Sequence, residues 1–266
     1  MNLRRISAVL GVIAACAISA SPAFAVRYVA LGDSYSSGTG TRTYYDSGCQ
    51  KSVYAYPYLI RNAHPDWTFV HAACAGAKTG DIINTQSAQL NSSTNWASYT
   101  IGGNDAGFSS VITECAKPGW FSNCNGKIDT AQNYINNTLP GRLDLVNNAI
   151  KSRSPSAKVI ALDYPRLFMG VDCNGGTWFS SSEMTRLNQT ADLLRTKISQ
   201  AASRAGSNFL FRDVIPPFVG HAVCAGGAGS STEWINGLSN PIGESYHPKK
   251  TGHSNGYYPV VHATTG

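Results

Sequence analysis

The chain has 266 residues, 21 Lys and Arg against 15 Asp and Glu, and only 14% charged side chains. A net charge of +6 spread over this length, with no more than two basic residues adjacent, lacks the basic footprint of a nucleic-acid binder. Many Ser, Asn, Gly and Thr residues give instead the neutral polar surface of an exported protein, long enough for one large domain or two small ones.

In chain order, Arg4 and Arg5 precede an apolar run over 6–20, which leads to an Ala-x-Ala site at Ala23, Phe24 and Ala25. This pattern predicts a signal peptide over 1–25, cleaved after Ala25. The run is shorter than the roughly 20 residues that span a bilayer. Ile13-Ala14-Ala15-Cys16 also loosely resembles a lipoprotein cleavage site that would leave a lipid on Cys16. The Ala-x-Ala site fits better, and a lipid there would leave a tether of about ten residues before the first strand. The expected mature protein, residues 26–266, is secreted and soluble, with 19 basic and 15 acidic side chains once Arg4 and Arg5 are gone.

Strands are expected over 28–31, 68–71, 97–101, 158–162 ("KVIAL", the clearest) and 208–211. Helices are expected over 53–63, with Pro57 as an obstacle, and over 80–90. A third covers 128–151, kinked at Pro140. A fourth covers 180–205, capped by Ser181 or Ser182 and ended by Gly206, and a last helix begins near Pro248. Short apolar strands alternating with helices indicate a parallel sheet covered on both faces. Such sheets gather their sites at the carboxyl ends of strands. No linker divides residues 26–266, so one domain is expected.

Six cysteines follow the leader: Cys49, Cys74, Cys115, Cys124, Cys173 and Cys224. An even count in an exported chain indicates three disulfides, and six cysteines allow 15 pairings. The most economical set is sequential: 49–74, 115–124 and 173–224. The absence of a CxxC pair argues against zinc.

Four stretches sit where strands end or near the C-terminus. They are Gly32-Asp33-Ser34, Gly76 in "CAGAKTGD", Gly102-Gly103-Asn104-Asp105, and His247 in "GESYHPKKTGH". Ser34 alone is an ordinary turn residue. A serine becomes a nucleophile when a base lies within hydrogen-bond reach and donors await the oxyanion; His247, the Gly76 N–H and the Asn104 amide would supply these. "GDSYS" lacks the last glycine of the Gly-x-Ser-x-Gly elbow, which weighs against the commoner lipase fold.

In order, the four stretches resemble the four motif blocks of the SGNH/GDSL hydrolase family, and in particular secreted actinobacterial GDSL lipases and esterases. The resemblance spans nearly all of the mature chain. It implies a three-layer α/β/α sandwich with a mainly parallel, flavodoxin-like five-stranded sheet. It also implies Ser34 as nucleophile, His247 as base, and an oxyanion hole of Ser34 N–H, Gly76 N–H and the Asn104 side chain. The chain departs from the family where the acid of Asp-x-x-His should stand. Glu244 is there, one methylene longer, and some relatives use a main-chain carbonyl, here that of Ser245. Both stay open.

Asp33 is expected to cap the turn and Asp105 to organise the Asn104 loop, while His64, His71, His221, His253 and His262 are surface or packing residues. Trp120-Phe121, Trp178-Phe179, Phe218 and Trp234 are either loop anchors or the walls of an acyl groove, in transient contact with a lipid interface. The expected protein is a secreted, monomeric serine esterase or lipase that hydrolyses lipid esters through an acyl-enzyme, without metal or cofactor. A phospholipase A, a carbohydrate acetylesterase and a non-catalytic binding protein on the same scaffold are the alternatives.

Overall fold

The computed structural model describes residues 25–266; Cys16 and the rest of the expected signal peptide before Ala25 lie outside them. Five short strands, β1 (Arg27–Ala30), β2 (Thr68–His71), β3 (Trp96–Thr100), β4 (Lys158–Leu162) and β5 (Phe209–Arg212), form one parallel sheet in the order β2-β1-β3-β4-β5. The three middle strands are almost wholly buried, as their near-continuous apolar runs require. Two helices, α2 (Tyr56–Ala63) and α8 (Tyr258–Thr265), pack together; α3 (Thr79–Asn84), α5 (Cys124–Asn137), α6 (Leu139–Arg153) and α7 (Ser181–Ala205) form a second packed group. With this strand order, the right-handed crossovers that parallel sheets adopt put these groups on opposite faces, giving the expected three-layer sandwich.

Several boundaries differ from the sequence pattern for identifiable reasons. Pro57 is the second residue of α2, where its missing N–H is harmless. Likewise Pro140 opens α6, so the expected kinked helix is two helices meeting at Thr138. The expected helix 80–90 stops at Asn84 and resumes as a 3₁₀ turn, Gln86–Gln89. Gln86 is drawn inward, where its amide pairs with both the N–H (2.7 Å) and the C=O (2.9 Å) of Gly32. The cap of α7 is Ser180, not Ser181 or Ser182: its hydroxyl accepts from Glu183 N–H while the Glu183 carboxylate accepts from Ser180 N–H. Two helices, α1 (Ser34–Ser37) and α4 (Phe108–Cys115), lacked a sequence signal because each is eight residues or fewer beside glycine-rich turns.

The core is rich in tyrosine, and most of the buried hydroxyls find a partner, that of Tyr246 being an exception. Tyr28 meets Ser98 (2.6 Å), Tyr99 donates to Asn147 (2.7 Å), and Tyr257 donates to the Asp163 carbonyl (3.0 Å). The sequential disulfides Cys49–Cys74, Cys115–Cys124 and Cys173–Cys224 are all formed.

Candidate active site

At the switch point between β1 and β3 the chain leaves β1 through Leu31 and Gly32, whose N–H groups are held by Ser98 O and Gln86. Gly32 has φ +118°, and a Cβ there would lie 2.5 Å from Thr100 O, so only glycine brings β1 this close to β3. Asp33 then caps the one-turn helix α1, which begins with Ser34. Its buried carboxylate accepts from Tyr35 N–H (3.0 Å), the Thr100 hydroxyl (2.7 Å) and the Tyr164 hydroxyl. Burial pushes the carboxyl up to about 6 against those bonds.

His247 comes from the C-terminal loop, 213 residues away, and its Nε2 stands 2.8 Å from Ser34 Oγ. Its Nδ1 lies 2.9 Å from the carbonyl oxygen of Ser245, which can only accept. That fixes the neutral tautomer: Nδ1 carries the proton, and Nε2 accepts from the serine hydroxyl. Burial pushes the imidazole down to about 4, so it is neutral near pH 7. Tyr35 flanks the ring at 5.1 Å and donates its hydroxyl to Tyr246 O (2.6 Å), while Phe108 flanks it edge-on at 6.2 Å.

Glu244 does not reach the histidine. A turn at Tyr246 (φ +62°) swings the Ser245 carbonyl onto Nδ1, and the buried Glu244 carboxylate goes the other way. There Oε1 accepts from the Tyr44 hydroxyl (2.6 Å) and Oε2 lies 3.3 Å from Arg42 Nε. Of the two open options for orienting His247, the geometry brings only the Ser245 carbonyl to the ring. Loop 38–45 also reaches the histidine directly. Gly40 packs so closely that an added Cβ would lie 2.8 Å from His247 Cβ, and Asn236 Nδ2 donates to both Gly40 O (2.9 Å) and His247 O (3.1 Å).

The three expected oxyanion donors are drawn together by bonds between their loops. Cys74 N–H donates to Gly32 O (3.1 Å) and Ala75 N–H to Cys49 O (3.0 Å), so the Cys49–Cys74 bridge ties the chain after Ser34 to the Gly76 segment. The Asn104 amide donates one proton to Ala77 O (3.0 Å), leaving the other available. Among the described residues, neither Ser34 N–H nor Gly76 N–H has an acceptor. Asp105 organises its loop by accepting from Thr79 N–H (3.0 Å) and the Thr79 hydroxyl (2.6 Å).

Ser34 and Asn104 open onto an apolar pocket between α4, α5 and α7. The latter two run in the same direction: Arg186 reaches Asn125 (2.6 Å) and Gln132 reaches Thr190 (2.9 Å). Ile128, Ala131 and Ile135 line the pocket from α5, and Leu187, Ala191 and Leu194 from α7. Each helix thus presents a small residue between two large ones on one face, leaving a slot at Ala131 and Ala191. Seven residues of helix give the wall a length of about 10 Å. The expected aromatic residues do not line this pocket. Phe179 and Phe218 are buried anchors, Trp234 stacks on His221 at 3.6 Å, and Trp120, Phe121 and Trp178 are exposed. Sequence reasoning missed Tyr164, Gln86 and Asn236, which act through folding partners 50 or more residues away, except that Asn236 also binds His247 locally.

A serine hydroxyl on a neutral imidazole, beside free N–H donors at the switch point of a parallel sheet, is the arrangement of a serine hydrolase. Residues 30–254 match the GDSL-like lipase/acylhydrolase family, to which the chain belongs. Lipase 1 of Streptomyces coelicolor is 44% identical over 93% of this chain and 90% of its own. A lipase of Streptomyces rimosus is 41% identical over 95% of this chain and 91% of its own. Two crystal structures share the fold across 90% of this chain and 99% of theirs: an extracellular lipase from S. rimosus (TM-score 0.81, 40% identity) and phospholipase A1 from Streptomyces albidoflavus (TM-score 0.80, 41% identity). The chain is therefore a carboxylic ester hydrolase of the GDSL type.

Proposed function

We propose that this chain is a secreted enzyme that hydrolyses the acyl esters of lipids, phospholipids included, with a Ser34–His247 dyad. The observation that carries the reading is the 2.8 Å contact between Ser34 Oγ and His247 Nε2 at the mouth of an apolar slot. Nε2 takes the hydroxyl proton as Oγ attacks the ester carbonyl. The tetrahedral oxyanion accepts from Ser34 N–H, Gly76 N–H and the second Asn104 amide proton. The imidazolium, still donating to the Ser245 carbonyl, passes its proton to the leaving alcohol oxygen and an acyl-enzyme remains. Water then attacks with His247 again the base, Ser34 recovers its proton and the acid departs.

The acyl chain lies along α5 and α7, which favours lipid esters over acetylated carbohydrate. Three disulfides and the extracellular relative from S. rimosus support export of residues 26–266. Trp120 and Phe121 are 79% and 75% exposed on a loop closed by Cys115–Cys124, between the two helices α4 and α5 that wall the slot. This pair contacts the lipid surface from which substrate is drawn. A panel of p-nitrophenyl esters from C2 to C12, with phosphatidylcholine vesicles and acetylated xylan alongside, tests the reading. Turnover should rise from C2 to the medium chains and extend to the phospholipid; a preference for acetyl esters or xylan would refute it.

A further inference from the structure

We propose that Tyr164 is a positioning residue, whose hydroxyl holds the Asn104 loop in register with Ser34. The proposal rests on the reading of Asn104 as an oxyanion donor. Tyr164 lies two residues past the end of β4 and is 7% exposed. Its hydroxyl donates to Asp33 Oδ2, the cap of the helix that Ser34 begins, and accepts from the N–H of Gly103 at 3.2 Å. Asp33 Oδ1 is already taken by Tyr35 N–H and the Thr100 hydroxyl, so Tyr164 is the partner of the remaining oxygen.

Since β4 neighbours β3, and β3 neighbours β1, one side chain braces three consecutive strand ends. It joins the carboxylate preceding the nucleophile to the amide preceding Asn104. The ring itself supports the same loop: a Cβ on Gly103 would sit 3.4 Å from Tyr164 Cζ. The ring also packs edge-to-face with Tyr35, centroids 5.0 Å apart, the ring that flanks His247. Burial and the facing carboxylate raise the phenol far above its usual range, so it stays a donor at any working pH.

The hydroxyl therefore matters where charge develops. In the ground state the Asn104 amide spends one proton on Ala77 O. In the transition state the other amide proton must meet an oxyanion, and small errors of placement weaken a charge-assisted bond. The effect should appear in kcat and not in KM.

The test is a double-mutant cycle of Tyr164→Phe and Asn104→Ala, read as kcat and KM on p-nitrophenyl butyrate. Phenylalanine keeps the ring against Gly103 and Tyr35 and deletes only the hydroxyl. Tyr164→Phe should lower kcat at least tenfold with KM within twofold, yet lower it less than twofold further in the Asn104→Ala background. Tyr99→Phe, which deletes another buried hydroxyl (on Asn147) off the pocket, should match its loss of thermal stability and retain kcat. An equal kcat loss in both backgrounds, or none in either, would overturn the proposal while leaving the oxyanion reading intact. An Asn104→Ala enzyme with normal kcat would overturn both.

Discussion

Replacing Glu244 by alanine separates a dyad from a triad, because the residue stands where the family's acid is expected yet binds elsewhere. In the structure its carboxylate holds Tyr44 at 2.6 Å and Arg42 at 3.3 Å, and His247 Nδ1 has the Ser245 carbonyl instead. Removing it deletes one charge-assisted hydrogen bond from a buried group, worth roughly 1.5–3 kcal/mol. The Arg42 pair adds little, since that side chain is 56% exposed. For a domain of this size about 2 kcal/mol lowers Tm by roughly 4–8 °C. Loop 38–45 also touches the histidine through Gly40, so kcat should fall, but by less than tenfold. A carboxylate orienting the imidazole would instead cost about 10⁴ in kcat. Thermal unfolding and turnover of p-nitrophenyl butyrate, measured on the same preparation, distinguish these outcomes. A loss of 10³ or more with the fold intact would refute the assignment of the Ser245 carbonyl as the partner of Nδ1.

Ala191→Leu should fill the slot between Leu187 and Leu194; excluding about four methylenes at ~0.8 kcal/mol each lowers kcat/KM on decanoyl esters by about 10² while butyryl esters are spared. Equal effects on both chain lengths would show that the acyl chain lies elsewhere. Acid stability tests the buried histidines: His253 is fully buried and its imidazole is pushed by burial down to about 3. Between about pH 6.5 and 3 the unfolded chain binds a proton that the folded chain excludes, so this contribution is present above pH 6.5 and lost as pH falls. Wild type should thus lose about 2 kcal/mol more than His253→Phe between pH 7 and pH 5. Asp33 and Asp163, whose carboxyls burial raises to about 6 and about 8, act in the opposite sense in both proteins and cancel in the difference. Identical pH slopes of Tm in the two proteins would contradict this.

What the sequence disclosed, and what it withheld, follows physical range. Strands β2 and β4 were legible to the residue because a short parallel strand, half-buried at the edge (β2) or buried inside (β4), is written as a short β-prone run. The four motif blocks could be placed on one sheet edge because each lies where a strand ends or in a single loop, so local order in the chain reflects their position. The direction of the Glu244 side chain was not legible, because it is decided by Tyr44 and Arg42, some 200 residues earlier. Gln86 reads as a helix residue, yet its side chain completes the hydrogen bonding of Gly32, 54 residues away. By composition the aromatic pairs allowed either loop anchors or the walls of an acyl groove. The apolar pocket beside Ser34 comes instead from the large-small-large spacing on α5 and α7, a pattern visible only once those helices are known to face each other.

In the proposed mechanism Ser34 carries the acyl group. Stopped-flow mixing with excess p-nitrophenyl butyrate, acid quenching and mass analysis of the digested protein test it most directly. One butyryl group should appear on the peptide containing Ser34, formed within a single turnover and absent from Ser34→Ala. A butyryl group on any other residue, or undiminished hydrolysis by Ser34→Ala, would contradict it.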